Sequence, residues 1–215
     1  FTMRRINAKA FKNAPSGDAV IAAYEAIRPK LKTCDLLLCS GDYAFSKIIR
    51  KATSSDWSHV ALIVQARAIG RVLVLESVEP EGVRVVPFRK YLLDYKDGKA
   101  YPGGIAVASL KAQPNISDRR VMSKFGQQAV DLFGYPYDRD QVLKLALRVA
   151  QSTLFGANAG AQDFDNDKEF ICSEYVAICL RELGLGEIAP GPHGFVAPVD
   201  FVPLLTDFKY LKRPG

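Results

Sequence analysis

The sequence predicts an α+β domain, a central antiparallel sheet or small barrel packed by helices. Two observations carry that prediction. Apolar runs of strand length cluster between residues 35 and 110, separated by short breaks rich in Gly and Pro. Helical periodicities flank that cluster on both sides, the arrangement expected when helices segregate against an antiparallel sheet. No internal repeat or low-complexity segment interrupts the chain, and 215 residues suit one medium domain with a sizeable core.

Residues 18–32 predict a helix, with Val20, Ala23, Tyr24 and Ile27 on one face and Ser16 as a nearby start signal. Residues 35–39 predict a buried strand. Residues 43–53 predict a short amphipathic helix, since Phe45, Ile48, Ile49 and Ala52 recur at helical spacing. Strands follow at 59–65, 71–78 and 82–87, with Gly70 and the Glu79-Pro80-Glu81-Gly82 segment as turn signals. Another strand is expected at 105–110, after the Pro102-Gly103-Gly104 break. Residues 117–133 carry Val121, Phe125, Ala129 and Leu132 in helical register. Residues 141–154 predict a helix with two apolar stripes, and 156–167 a polar loop. Residues 172–183 predict a helix ended by Gly184.

The charge balance is modest. Lys and Arg number 29 against 23 Asp and Glu, a net charge of +6 spread along the chain. The densest basic stretches, 47–51 and 209–213, read as solvated faces, with contact to a membrane surface as the sharper alternative. No nucleic-acid-binding signature is present, so nucleic acid is not an expected partner. No apolar run reaches the roughly 18 residues a membrane span needs. Arg4, Arg5 and Lys9 are not followed by an apolar segment, so no secretory signal is visible. The compartment stays open between cytoplasm and a processed envelope protein.

Four cysteines are present, at 34, 39, 172 and 179. No pair has the C-x-x-C spacing and only two histidines accompany them, so neither a structural zinc site nor any other metal or cofactor is expected. Cys34, Cys39 and Cys179 read as small buried apolar residues. Cys172 differs. It falls in the first turn of the helix whose core row is Val176, Cys179, Leu180 and Leu183. The positive end of a helix favours a thiolate, and its free N–H groups can receive an oxyanion. A first-turn cysteine is more often structural, so the position alone does not decide.

A nucleophilic thiol needs a base within about 3 Å. His59 opens an apolar strand and would be held by the sheet, although a half-buried structural histidine has the same pattern. His193 sits in a Pro/Gly-rich loop and reads more simply as a solvated residue. Glu76 ends the strand after that of His59. If those strands form a hairpin, the carboxylate comes near the imidazole and can fix its tautomer.

The order of these pieces is Ser58-His59-Val60, then Glu76, then Gly134-Tyr135-Pro136-Tyr137-Asp138, then Cys172-Ser173-Glu174-Tyr175 opening a helix. It resembles the permuted papain-like branch of the NlpC/P60 superfamily, the YiiX/YaeF-like group, in which the histidine strand precedes the cysteine helix. Cys34-Asp35-Leu36 resembles that group's Gly-Asp-hydrophobic opening, with cysteine in place of glycine. The resemblance runs from about Asp35 to Val199. It implies a circularly permuted papain-like domain over 34–215, with a helical insert near 139–169 and an N-terminal helical extension at 1–33. It implies Cys172 as nucleophile, His59 as base and Glu76 as orienting residue. Tyr137, Ser173, Trp57 and His193 are the substrate-binding candidates. The implied activity is that of a bacterial cysteine amidase or peptidase acting on cell-wall peptides or related γ-glutamyl and D-amino-acid amides. Two alternatives stand beside it: lipid acyl transfer of the lecithin:retinol acyltransferase type by the same triad, and a non-catalytic ligand-binding module.

Overall fold

The computed structural model describes residues 11, 13–138, 171–189 and 195–214. Its strands are β1 (Leu36–Ser40), β2 (His59–Ala66), β3 (Arg71–Val78), β4 (Gly82–Pro87), β5 (Gly104–Leu110) and β6 (Leu205–Lys212). Its helices are α1 (Ala19–Ile27), α2 (Ala44–Thr53), α3 (Phe88–Leu93), α4 (Arg119–Asp131) and α5 (Cys172–Glu182). The six strands form one open sheet in the order β4-β3-β2-β1-β5-β6, every neighbouring pair antiparallel. Of the two expected closures, the open sheet is the one adopted, with β4 and β6 at its edges.

Strand alternation divides the core into two layers. On one face Leu36, Leu38, Val60, Leu62 and Leu75 pack against Phe125 and Ala129 of α4 and Val176, Cys179 and Leu180 of α5. On the other face Leu37, Ala61, Ile63, Val72 and Val74 meet Val20 and Tyr24 of α1 and Phe88, Tyr91 and Leu92 of α3. Helices on both faces explain why β1 reads as a continuous apolar run: its side chains are buried whichever way they point. Leu36, Leu37 and Leu38 are all fully buried, and each contributes roughly 1.5–3 kcal/mol on leaving water.

Several element limits depart from the sequence reading for local reasons. The first helix is α only over α1 and then tightens to a 3-10 turn at Arg28–Lys30. Pro29 lacks an N–H and disfavours α conformation in the residue before it. Helix α4 starts where the Asp118 carboxylate accepts N–H bonds from Arg120 at 2.7 Å and Val121 at 3.4 Å. Strand β6 has no expected counterpart, since Asp207 at φ 53° and two register shifts against β5 break its alternation. Nor does α3, a six-residue helix too short to show a period.

The described part of the N-terminal segment packs into the same core. Phe11 meets Trp57 edge-on at 5.5 Å, and Tyr24 stacks on Phe88 at 4.8 Å. The expected helix at 141–154, the loop at 156–167 and the insert near 139–169 lie outside the described residues. No described helix is long and apolar enough to cross a membrane.

Candidate active site

The β2–β3 hairpin pairs Leu62 with Leu75, which brings the start of β2 and the end of β3 to the same end of the sheet. His59 and Glu76 share the face that carries α1 and α3. His59 Nε2 lies 2.9 Å from Glu76 Oε2. The hairpin from β3 to β4 places Arg84 directly opposite Glu76. Arg84 Nε and Nη2 each donate to Glu76 Oε1 at 2.9 Å. From α3, the Tyr91 hydroxyl donates to Glu76 Oε2 and lies 3.2 Å from His59 Nε2. Both oxygens of a fully buried carboxylate are thereby occupied.

The nucleophile candidate arrives from the other layer. Helix α5 packs on the opposite face of β2 and β3, and its first turn reaches the sheet end where His59 begins its strand. Cys172 lines the same cavity as His59 and acts electrostatically on the imidazole. With Nε2 committed to Glu76 and Tyr91, Nδ1 is the nitrogen left for the thiol. The first backbone bond within α5 is Tyr175 N–H to Ile171 O at 3.2 Å, so the N–H groups of Cys172 and Ser173 precede it. Glu174 reaches back to the Ile171 N–H at 3.3 Å and fixes that turn.

Burial alone would push the His59 imidazole down. The charge of Cys172 and its hydrogen bond, then the hydrogen bond and charge of Glu76, outweigh burial and push it up to about 10. Burial would raise the Glu76 carboxyl, but the hydrogen bond and charge of His59, then Arg84 and Tyr91, hold it below its ordinary value. Tyr91 is pushed well up by burial first and by Glu76 second, so it stays protonated and donates.

His59 and Cys172 open onto a cavity of about 410 Å³. Phe45, Ile49 and Tyr137 supply apolar wall, and Tyr43, Tyr95 and Arg84 a more polar one. Tyr137 is set there by backbone pairing of its segment with β4: Val83 N–H to Tyr135 O and Gly134 N–H to Val83 O, both 2.9 Å. Gly82 permits that approach, because it has φ 74° and a Cβ on it would lie 2.0 Å from Tyr135 O.

The other substrate-binding candidates are distributed differently. Trp57 is fully buried between Phe11 and Tyr210 and does not line the cavity; the aromatic two residues before the histidine is core here. Ser173 is also buried, and its Oγ donates to Val196 O at 2.6 Å, tying α5 to the segment after it. His193 lies outside the described residues.

Arg84 and Tyr91 are neighbours of the site that the sequence motifs do not contain, and Ser58 enters there only as part of the Ser58-His59-Val60 motif. Ser58 Oγ accepts the Gly41 N–H at 2.8 Å, behind His59. Arg84 could have been found by folding 71–78 onto 82–87 about the Glu79–Gly82 turn, which sets Glu76 against it. Among the described residues, no group of three or more His, Cys, Asp or Glu side chains converges to hold a metal ion.

An antiparallel sheet whose histidine strand precedes a cysteine-bearing helix is a permuted papain-like arrangement. Residues 30–144 match the family of permuted papain-like amidase enzymes, YaeF/YiiX, C92 family, and the chain belongs to that family. The matched span contains His59, Glu76, Arg84, Tyr91 and Tyr137, while Cys172 lies beyond it. Among solved structures, the metalloprotein yiiX from Escherichia coli O157:H7 is similar over 81% of this chain and 94% of its own, at 22% identity and a TM-score of 0.45. No curated protein matches the sequence.

Proposed function

We propose that the chain is a cysteine amidase or peptidase that works through a thioester on Cys172. One observation carries this reading: the His59 imidazole, paired with the buried Glu76 carboxylate at 2.9 Å, lines one cavity together with Cys172. His59 takes the thiol proton, and the thiolate attacks an amide carbonyl. The N–H groups of Cys172 and Ser173 receive the tetrahedral oxyanion. The C–N bond then breaks as the His59 imidazolium gives its proton to the leaving amine. Water, deprotonated by His59, hydrolyses the thioester and restores the thiol. Glu76 stays ionised throughout and fixes the ring.

The family supports amide hydrolysis, and the cavity's mixed lining suits a short peptide with polar ends. Cell-wall peptides and related γ-glutamyl or D-amino-acid amides are the substrate class we assign. The test is intact-mass detection of an acyl adduct after mixing the protein with such peptides. Wild type gains the acyl mass on Cys172 and Cys172→Ala gains none. His59→Ala acylates slower by several orders of magnitude, and His193→Ala mainly changes substrate affinity. An adduct formed from lipid esters but from no peptide would transfer the assignment to lipid acyl chemistry. Acylation of His59→Ala at the wild-type rate would overturn the mechanism.

A further inference from the structure

The buried end of this site holds more charge than a thiol, an imidazole and a carboxylate. Glu76 has no solvent exposure, and a carboxylate removed from water costs several kcal/mol unless a counter-charge stays beside it. His59 cannot be that constant partner, because it gains and loses a proton in every cycle of the proposed reaction. Arg84 can. A guanidinium does not deprotonate in proteins, and its planar fork holds a carboxylate in one orientation.

The oxygens of Glu76 are divided accordingly. Oε1 takes both Arg84 bonds at 2.9 Å. Oε2 is left to His59 and Tyr91. Arg84 is itself fixed from two further sides. Its Nη1 lies 3.3 Å from Glu81 at the cavity mouth, and its guanidinium carbon lies 5.8 Å from the Tyr95 ring. Among the described residues, further titratable groups that face this cluster include Cys39 of β1, which pairs across from His59, Cys172 of α5, and Tyr101 and Tyr43 beside Tyr91 and Tyr95.

We propose that Arg84 is a positioning residue of this hydrolase, the permanent counter-ion that keeps Glu76 ionised and its Oε2 turned to His59 while the imidazole changes charge. The proposal rests on the reading of Cys172 and His59 as a thiol–imidazole pair. Arg84 also lines the cavity, so its action through Glu76 has to be separated from direct contact with substrate.

Alkylation of Cys172 by iodoacetamide makes that separation, since the reagent is small, neutral and carries no carboxylate. The rate at Cys172 is followed by peptide mass spectrometry across a pH series in wild type, Arg84→Gln, Arg84→Lys and His59→Ala. Arg84→Gln moves the acid limb of the profile upward by about one pH unit, because loss of a cation beside the cluster disfavours its anionic form. Arg84→Lys recovers most of that displacement through its charge but reaches a lower maximum rate, lacking the fork. An Arg84→Gln profile that superimposes on wild type overturns the proposal, as does an Arg84→Lys profile displaced as far as Arg84→Gln. If Arg84→Gln does not fold, Arg84→Lys decides alone. Wild-type rate and profile overturn the proposal, and a severalfold lower maximum on an unmoved profile upholds it. His59→Ala separates the two levels. If it leaves the profile unchanged, the thiol–imidazole reading fails. If it shifts the profile while Arg84→Gln does not, only the role of Arg84 fails.

Discussion

Four thiols share this chain, and their surroundings separate them. Burial pushes Cys34 and Cys179 up to about 12, and Cys39 well above its ordinary value. All three are therefore neutral thiols near pH 7, enclosed in the two core layers. Cys172 alone among them lines the cavity, together with His59. Limiting iodoacetamide at pH 7.5 should label Cys172 first, and mass spectrometric mapping that finds another cysteine ahead of it would refute this ordering. Residue type and chain order made Cys172, His59 and Glu76 legible in the sequence, because each is a titratable group at the boundary of an apolar run. Tyr91 was not legible. It sits on a helix of six residues, and its hydroxyl meets Glu76 only through a contact between elements. Cys34, where the sequence resemblance sets a glycine, adopts a left-handed φ of 78°.

At the scale of elements, the wall that Tyr137 forms depends on a contact between two backbones. Gly82 lets residues 134–135 pair with β4, and no side chain fits between them. Gly82→Ala should cost about 1–3 kcal/mol in urea unfolding, through left-handed strain and the displaced segment. It should also weaken substrate affinity more than Gly134→Ala, which has left-handed φ but an open site around its Cβ. Equal effects of the two variants on affinity would show that the contact does not shape the wall. The strands from β1 to β5 were readable because each is a run of apolar residues between turn residues. Strand β6 was hidden by its bulge, and its burial alternates only in part. It is an edge strand whose pairing is set by β5 rather than by its own pattern.

For the molecule as a whole, the pairing of buried Glu76 with partly buried His59 makes stability depend on pH from both sides. Glu76 is held below its ordinary value of 4.5, so its contribution is present above that pH and is lost as pH falls through the lower folded value. His59 is raised from 6.5 to about 10, so its contribution is full below pH 6.5 and is lost as pH rises toward 10. Thermal unfolding should therefore show greatest stability from these groups between pH 4.5 and 6.5, with a decline from pH 7 to 10. His59→Ala should flatten the alkaline decline, and an unchanged slope in that variant would contradict the linkage. The order of the elements along the chain has a further consequence, one of timing. Strands β2, β3 and β4 and helix α3 leave the ribosome well before α5, and domains form from the N-terminal side as synthesis proceeds. The His59–Glu76–Arg84 part of the proposed site is thus complete before Cys172 is made. On the proposed mechanism, a nascent chain carries the imidazole, the carboxylate and the guanidinium without Cys172, and reactivity would begin only when α5 docks against the finished hairpins.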